Sequence, residues 1–232
     1  MDQQDQWKKL AAEKGVDYIQ NGMVVGIGSG STIKFAIELL GEKVKAGLSV
    51  KGVSSSVPST ELANRHGIEL IDYSKLNMVD INLDGADEVD PDFNLIKGGG
   101  GALLREKINA FAAQMNIILV DQTKMVEHLG RFPLPVEVNQ FGYEEVKRTI
   151  ERIYGIEVGL RMKEDKIFIT DNGHYILDCF FEEIEDPHTT NAELIHIPGL
   201  LETGFFLGLT DILIIGSESG PLVRQGQPGT SV

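Results

Sequence analysis

Met23-Val24-Val25-Gly26-Ile27-Gly28-Ser29-Gly30-Ser31-Thr32-Ile33 runs from a short apolar segment through a glycine- and serine-rich loop into a helical pattern. A strand that breaks at glycines and restarts as a helix is the repeating unit of an α/β sheet. The alternation continues on both sides. Residues 3–20 read as a helix ended by Asn21-Gly22, and Ile33 to Lys45 as a second one stopped by Gly47. Leu48 to Val53 reads as a strand, Pro58-Ser59-Thr60 as a helix start and Gly67 as its stop. Strands follow near 68–71 and 79–83, a helix over 102–115 and a strand over 116–120. The pattern predicts an α/β fold with a doubly wound, mostly parallel, Rossmann-like sheet.

Near Phe132-Pro133-Leu134-Pro135 the pattern changes. Strand 134–138, helix 143–154, strand 157–162 continuing toward 170, strand 174–180, helix 189–196 and strand 200–206 give a β-α-β-β-α-β order. That order predicts a second, smaller α+β domain of the split-βαβ, ferredoxin-like kind. Asp171-Asn172-Gly173 reads as its hairpin signal and the two prolines as a hinge. Asp211 to Ile215 is apolar enough to return to the first sheet. The expected division is 1–131 with 207–232 for the first domain and 132–206 for the second.

Composition excludes several classes of function. The 232 residues carry 21 Lys and Arg against 35 Asp and Glu, a formal net charge of −14. Such a surface repels nucleic-acid phosphates and acidic membranes alike. No apolar run is long enough to span a bilayer, and the polar start of the chain lacks a signal-peptide core, so the expectation is a cytoplasmic protein. Cys179 is the only cysteine, which rules out an intrachain disulfide and a cysteine-based zinc site. The five histidines show no metal spacing.

Three segments carry chemistry. Gly28-Ser29-Gly30-Ser31-Thr32 offers hydroxyls, close backbone approach and a helix N-terminus, which together suit a phosphate; the alternative is a serine-capped tight turn. It is neither a P-loop nor a dinucleotide fingerprint, since no Gly-Lys-Ser/Thr ends it and Ser31 replaces the third glycine. Asp84-Gly85-Ala86-Asp87-Glu88-Val89-Asp90 sets four carboxylates after an apolar strand. They suit sugar-hydroxyl recognition, acid–base work or a hard cation, or they form a solvated acidic turn. Lys97-Gly98-Gly99-Gly100-Gly101 costs much backbone entropy, so it points to a chain wrapped closely around a ligand, with Lys97 beside it. Glu106 follows a turn and a half later. From spacing alone it is as readily a surface residue as a base. Lys8, Lys9 and Lys124 are cations that could complete a phosphate site.

Taken together and in order, Gly28 to Thr32, Asp84 to Asp87, and Lys97 to Gly100 followed by Arg105-Glu106-Lys107 resemble ribose-5-phosphate isomerase of the A type. The resemblance extends to Ser54-Ser55-Ser56 with Ser59-Thr60, to Gly130-Arg131-Phe132-Pro133-Leu134-Pro135-Val136-Glu137, to Thr170-Asp171-Asn172-Gly173 with Ile176-Leu177-Asp178, and to Ile197-Pro198-Gly199. It implies cofactor-free, metal-free interconversion of D-ribose 5-phosphate and D-ribulose 5-phosphate in the non-oxidative pentose phosphate pathway. It assigns Glu106 as base; for the chemistry that follows, Asp84 or Asp87 would move protons among the sugar oxygens and Lys97 would help stabilise the enediolate. Ser29, Gly30, Ser31, Thr32, Asp84, Gly85, Ala86, Asp87, Lys97, Gly98, Gly99, Gly100 and Lys124 would line the substrate, with Lys8 assisting at the phosphate. It further implies a nucleotide-binding-like α/β domain, a smaller α+β domain and a homodimer or homotetramer. Ser29 stands where many members carry threonine, Gly204-Phe205-Phe206 replaces the usual Gly-Leu-Phe, and the tail after Gly220 is poorly matched. Two rivals are weaker. A sugar-phosphate deaminase would want a histidine beside these motifs, and a sugar-phosphate sensor would want a DNA-binding domain.

Overall fold

β1 (Val24–Ile27) lies inside a seven-stranded sheet. Its companions are β2 (Lys51–Ser54), β3 (Glu69–Leu70), β4 (Ile81–Asp84), β7 (Asn116–Asp121), β15 (Ile212–Ser217) and β16 (Gly220–Gln225). The order across the sheet is β16-β15-β7-β4-β1-β2-β3. Every neighbouring pair is parallel except β15 with β16. The computed structural model describes residues 2–76 and 78–226. Met1, Asn77 and 227–232 of the expected first domain lie outside the described residues.

The chain divides into two units, Met1–Ala86 with Arg105–Met125 and Gly208–Val232, and Asp87–Leu104 with Val126–Leu207. The second therefore takes in 87–104, 126–131 and Leu207, which the sequence reading placed in the first. In the first unit, chain order runs outward from β1 through β2 to β3 on one side and from β4 through β7 to β15 on the other. The direction of winding reverses between β1 and β4, and open α/β sheets bind ligands outside the carboxyl ends of strands at such a switch. Helices α1 (Gln3–Val16), α2 (Ser31–Lys45) and α3 (Val57–Arg65) belong to this unit. Its core joins Ala11, Ala12 and Val16 of α1 and Ile33, Ile37 and Leu40 of α2 to Val25, Ile27, Ile81, Leu83, Ile117 and Leu119 of the strands. α1 stops at Val16, short of the expected 20, because Asp17 caps it and the next residues fold into tight turns back to Gly15 and Val16.

In the second unit β8 (Leu134–Val138), β9 (Glu157–Leu160), β12 (Tyr175–Phe180) and β13 (Leu200–Thr203) form an antiparallel sheet ordered β13-β8-β12-β9. With α5 (Tyr143–Tyr154) and α6 (Pro187–Leu194) this is the ferredoxin-like arrangement. Its core contains Val136, Val146, Ile150, Val158, Leu177 and Cys179. A small antiparallel sheet of β14 (Phe205–Phe206), β6 (Leu95–Ile96) and β5 (Glu88–Val89) completes the unit.

Several details differ from the sequence reading. The strand expected over 157–170 breaks after Leu160 and a hairpin intervenes, β10 (Met162–Lys163) with β11 (Lys166–Ile167). The turn at 171–173 is closed by the Thr170 N–H on the His174 carbonyl at 2.9 Å, yet β11 before it pairs only with β10. The strand expected over 200–206 divides at Gly204, where a Cβ would stand 2.5 Å from the Lys97 carbonyl oxygen; β14 then joins the small sheet. Pro135, expected at a hinge, lies within β8, which is paired on both sides. β16 was not anticipated.

Candidate active site

In the first unit the predicted residues collect at one edge of the sheet. β1 ends at Ile27 and delivers Ser29, Gly30, Ser31 and Thr32, while its neighbour β4 ends in Asp84, Gly85 and Ala86. Gly28 bonds to the Leu83 carbonyl at 2.9 Å, and the Ser29 N–H donates to Asp84 Oδ1 at 3.3 Å, as does the Gly85 N–H at 2.8 Å. Ser29 Oγ lies 2.9 Å from Ser55 Oγ, and Ser59 Oγ donates to the Gly28 carbonyl at 2.8 Å. The serine cluster after β2 thus buttresses the loop from behind. α2 begins with Gly30 as its cap, so no side chain of the cap residue takes up the first amides. Thr32 is buried, and Ser31 is exposed.

Glu106 lies in the first turn of α4 (Leu103–Ala112), where a carboxylate is favoured by the helix dipole. It is 4% exposed, which removes the surface reading. α4 leads back into β7, and a helix that crosses over between parallel strands starts at their carboxyl ends. Glu106 is therefore at the same edge as Asp84 and the serine loop. Asn109 on the next turn ties α4 to the Val53 carbonyl at 3.1 Å. β7, beside β4, ends in buried Asp121, which accepts from the Thr123 N–H at 3.0 Å and from Gln4 Nε2 at 3.1 Å. It shapes the 3₁₀ turn Gln122–Lys124, so half-buried Lys124 also leaves the carboxyl end of a strand. Lys8 is half-buried on α1 and 3.8 Å from Asp5.

In the second unit Asp87 Oδ2 accepts from the Gly99 N–H at 2.8 Å, so this carboxylate serves the second glycine loop as Asp84 serves the first. The other two acids of the cluster are structural. Glu88, 4% exposed, accepts the Gly130 and Phe132 N–H groups at 2.8 and 2.7 Å, and Asp90 accepts from Asp92 and Asn94 in its own turn. Lys97 is buried, bonds through its N–H to Gly204 and places Nζ 5.2 Å from the centre of the Phe206 ring. Gly98 is buried, and Gly99 and Gly100 are exposed.

Sequence reasoning missed Arg161, whose guanidinium reaches the carbonyls of Gly98 and Gly99 while paired with Asp178. No sequence signal marked it, because Arg161 lies inside the segment expected to run as one strand from 157 toward 170. Among the described residues no group of three or more His, Cys, Asp or Glu side chains could hold a metal ion.

Comparisons with known proteins agree with the motif order. A family model described as ribose 5-phosphate isomerase A (phosphoriboisomerase A) matches residues 51–220. The chain is 44% identical over 214 residues to ribose-5-phosphate isomerase A of Bacillus mycoides strain KBAB4, covering 92% of this chain and 96% of that one. It is 46% identical over 226 residues to the protein of that name from Maricaulis maris strain MCS10, covering 94% and 97%. A solved D-ribose-5-phosphate isomerase in complex with phospho-erythronic acid matches with a TM-score of 0.93 at 39% identity, covering 97% of this chain and all of that one (100%). Ribose 5-phosphate isomerase from Plasmodium falciparum matches at 0.92 and 36% identity, covering 95% and 98%. This chain belongs to the ribose 5-phosphate isomerase A family.

Proposed function

We infer that this chain interconverts D-ribose 5-phosphate and D-ribulose 5-phosphate, an aldose–ketose isomerisation of the pentose phosphate pathway, with Glu106 as the base. The observation that supports the role of Glu106 is its burial in the first turn of α4, at the carboxyl edge of β1, β4 and β7. The reaction moves one hydrogen between C2 and C1 and another between the two oxygens, so it is redox-neutral within the sugar and calls for no external electron acceptor. Glu106 takes the C2 proton, leaving a cis-enediolate, and returns it to C1. A positioned base of this kind contributes about 10²–10⁴ in rate.

The enediolate oxygens then need preorganised donors, whose loss elsewhere costs about 3–4 kcal/mol each. Lys97 and the amides of Gly98, Gly99 and Gly100 take that role. Asp84 or Asp87 moves protons among the open-chain oxygens and assists ring opening, with Gly85 and Ala86 also lining the sugar. Ser29, Gly30, Ser31 and Thr32 hold the phosphate, helped by Lys124 and Lys8, and that binding energy positions C1 and C2. Phospho-erythronic acid, found on the solved relative, joins a phosphate to a planar carboxylate, the charge pattern an enediolate presents.

The same reading takes the chain as a cytoplasmic homodimer or homotetramer, which sedimentation equilibrium would weigh directly. No described helix is long and apolar enough to cross a membrane. Incubation with ribose 5-phosphate in D₂O, followed by proton NMR, tests the activity. The expected result is ribulose 5-phosphate with deuterium entering at the exchanging carbon. Unchanged ribose 5-phosphate would refute it.

A further inference from the structure

Arg161 stands immediately before the β10–β11 hairpin and Phe168 immediately after it, and the Phe168 N–H closes the two ends on the Arg161 carbonyl at 2.9 Å. Both side chains are directed at the glycine run. Arg161 Nη1 donates to the Gly98 carbonyl at 2.5 Å and to the Gly99 carbonyl at 3.3 Å. The rest of the guanidinium is held by Asp178, with Nε on Oδ2 at 3.0 Å and Nη2 on Oδ1. The two side chains are only 13% and 19% exposed. A pair this withdrawn from water loses much of its Coulombic gain to desolvation, so its presence is better explained by the orientation it imposes than by the stability it adds. Phe168 packs on the far end of the run, where a Cβ at Gly101 would fall 2.4 Å from its ring.

The peptide between Gly98 and Gly99 is clamped at both ends, its carbonyl by Arg161 and its N–H by Asp87 Oδ2 at 2.8 Å. The Gly98 carbonyl also accepts the Gly101 N–H at 2.9 Å. The next peptide turns its carbonyl toward Arg161 as well, and trans geometry then aims the Gly100 N–H the opposite way. Four successive glycines do not hold such an orientation unaided.

We propose that Arg161, fixed by Asp178, is a positioning residue of the isomerase: it sets the peptide planes of Gly98, Gly99 and Gly100 so that the Gly100 amide presents to the developing enediolate. This rests on the functional reading above. Arg161→Ala should lower kcat about 10²-fold while KM changes little, because the amide acts on charge that appears only in the transition state. Added guanidinium should restore part of the loss, Arg161→Lys should recover only a minor share, and Asp178→Asn should fall between wild type and Arg161→Ala. Hydrogen exchange without substrate gives a readout independent of activity. In Arg161→Ala the hydrogen-bonded amides of Gly99 and Gly101 should exchange about tenfold faster, with those of β8 unchanged. Unaltered kcat, or a loss that guanidinium does not repair with exchange at Gly99 and Gly101 unaffected, would overturn the proposal. If the wild-type protein leaves ribose 5-phosphate unchanged, the functional reading fails, and the exchange comparison still decides whether Arg161 orders the run.

Discussion

Gly28 and Asp84 approach so closely that a Cβ at position 28 would lie 2.1 Å from Asp84 Oδ1. Gly28 directly follows β1 and Asp84 ends β4, adjacent parallel strands at the point where the winding of the sheet reverses. The loop proposed to hold the phosphate and the Asp84 carboxylate therefore cannot be moved independently. Gly28→Ala should displace Asp84 and the Ser29 amide together, destabilising the protein by about 1–3 kcal/mol and lowering kcat/KM well beyond what that instability explains. Thermal melting beside initial rates checks this, and a variant with full activity would show that the loop yields without Asp84.

Asp121 provides a separate handle on the proposed phosphate end. It accepts from the Thr123 N–H and from Gln4, shaping the turn that ends in Lys124. Asp121→Ala should cost about 1–2 kcal/mol as a lost cap and raise KM for the sugar phosphate more than it lowers kcat. Asp121→Asn, which keeps an acceptor, should recover part of both in urea titrations and steady-state rates.

Glu88 should matter to folding and not to chemistry. Its two oxygens take the N–H groups of Gly130 and Phe132 in a buried setting. Glu88→Ala leaves both amides without their acceptor and should destabilise by about 3 kcal/mol, while the folded fraction keeps a normal kcat. A denaturant midpoint unchanged from wild type would contradict the assignment.

The single thiol should be inert. Burial, with a smaller effect from Asp178, pushes the Cys179 pKa upward. In the native protein it should resist iodoacetamide at neutral pH and react fully after denaturation. The folded state keeps this proton where an unfolded thiol has lost it. Its contribution to stability is therefore complete below the ordinary thiol range and declines as pH rises from that range toward the raised native value.

Much of the architecture was legible because its signals are local. The strand, glycine loop and helix from Met23 to Lys45 announce themselves by periodicity and turn residues, and so does the order of elements from Leu134 to Leu200. The two-residue strands β5, β6, β10, β11 and β14 were not, since two residues carry no periodicity. Gly204 was unreadable for a different reason: it is a glycine because the Lys97 carbonyl stands 2.5 Å from where its Cβ would be, a neighbour 107 positions away. Within the acidic cluster the sequence offered four equivalent carboxylates. Only the fold separates Asp84 and Asp87, which hold the glycine loops, from Glu88 and Asp90, which hold turns. Arg161 was invisible as a site residue because its partners, Gly98 and Asp178, are distant in sequence and meet only when the second unit is folded.

The account turns on the proton carried by Glu106, and the substitution Glu106→Gln tests that most directly, because it keeps the shape of the side chain and removes the base. Measured together, turnover of ribose 5-phosphate and its calorimetric affinity should part company, with kcat reduced at least about 10²-fold and the dissociation constant nearly unchanged. Turnover that survives the substitution would remove Glu106 from the mechanism and the proposed chemistry with it.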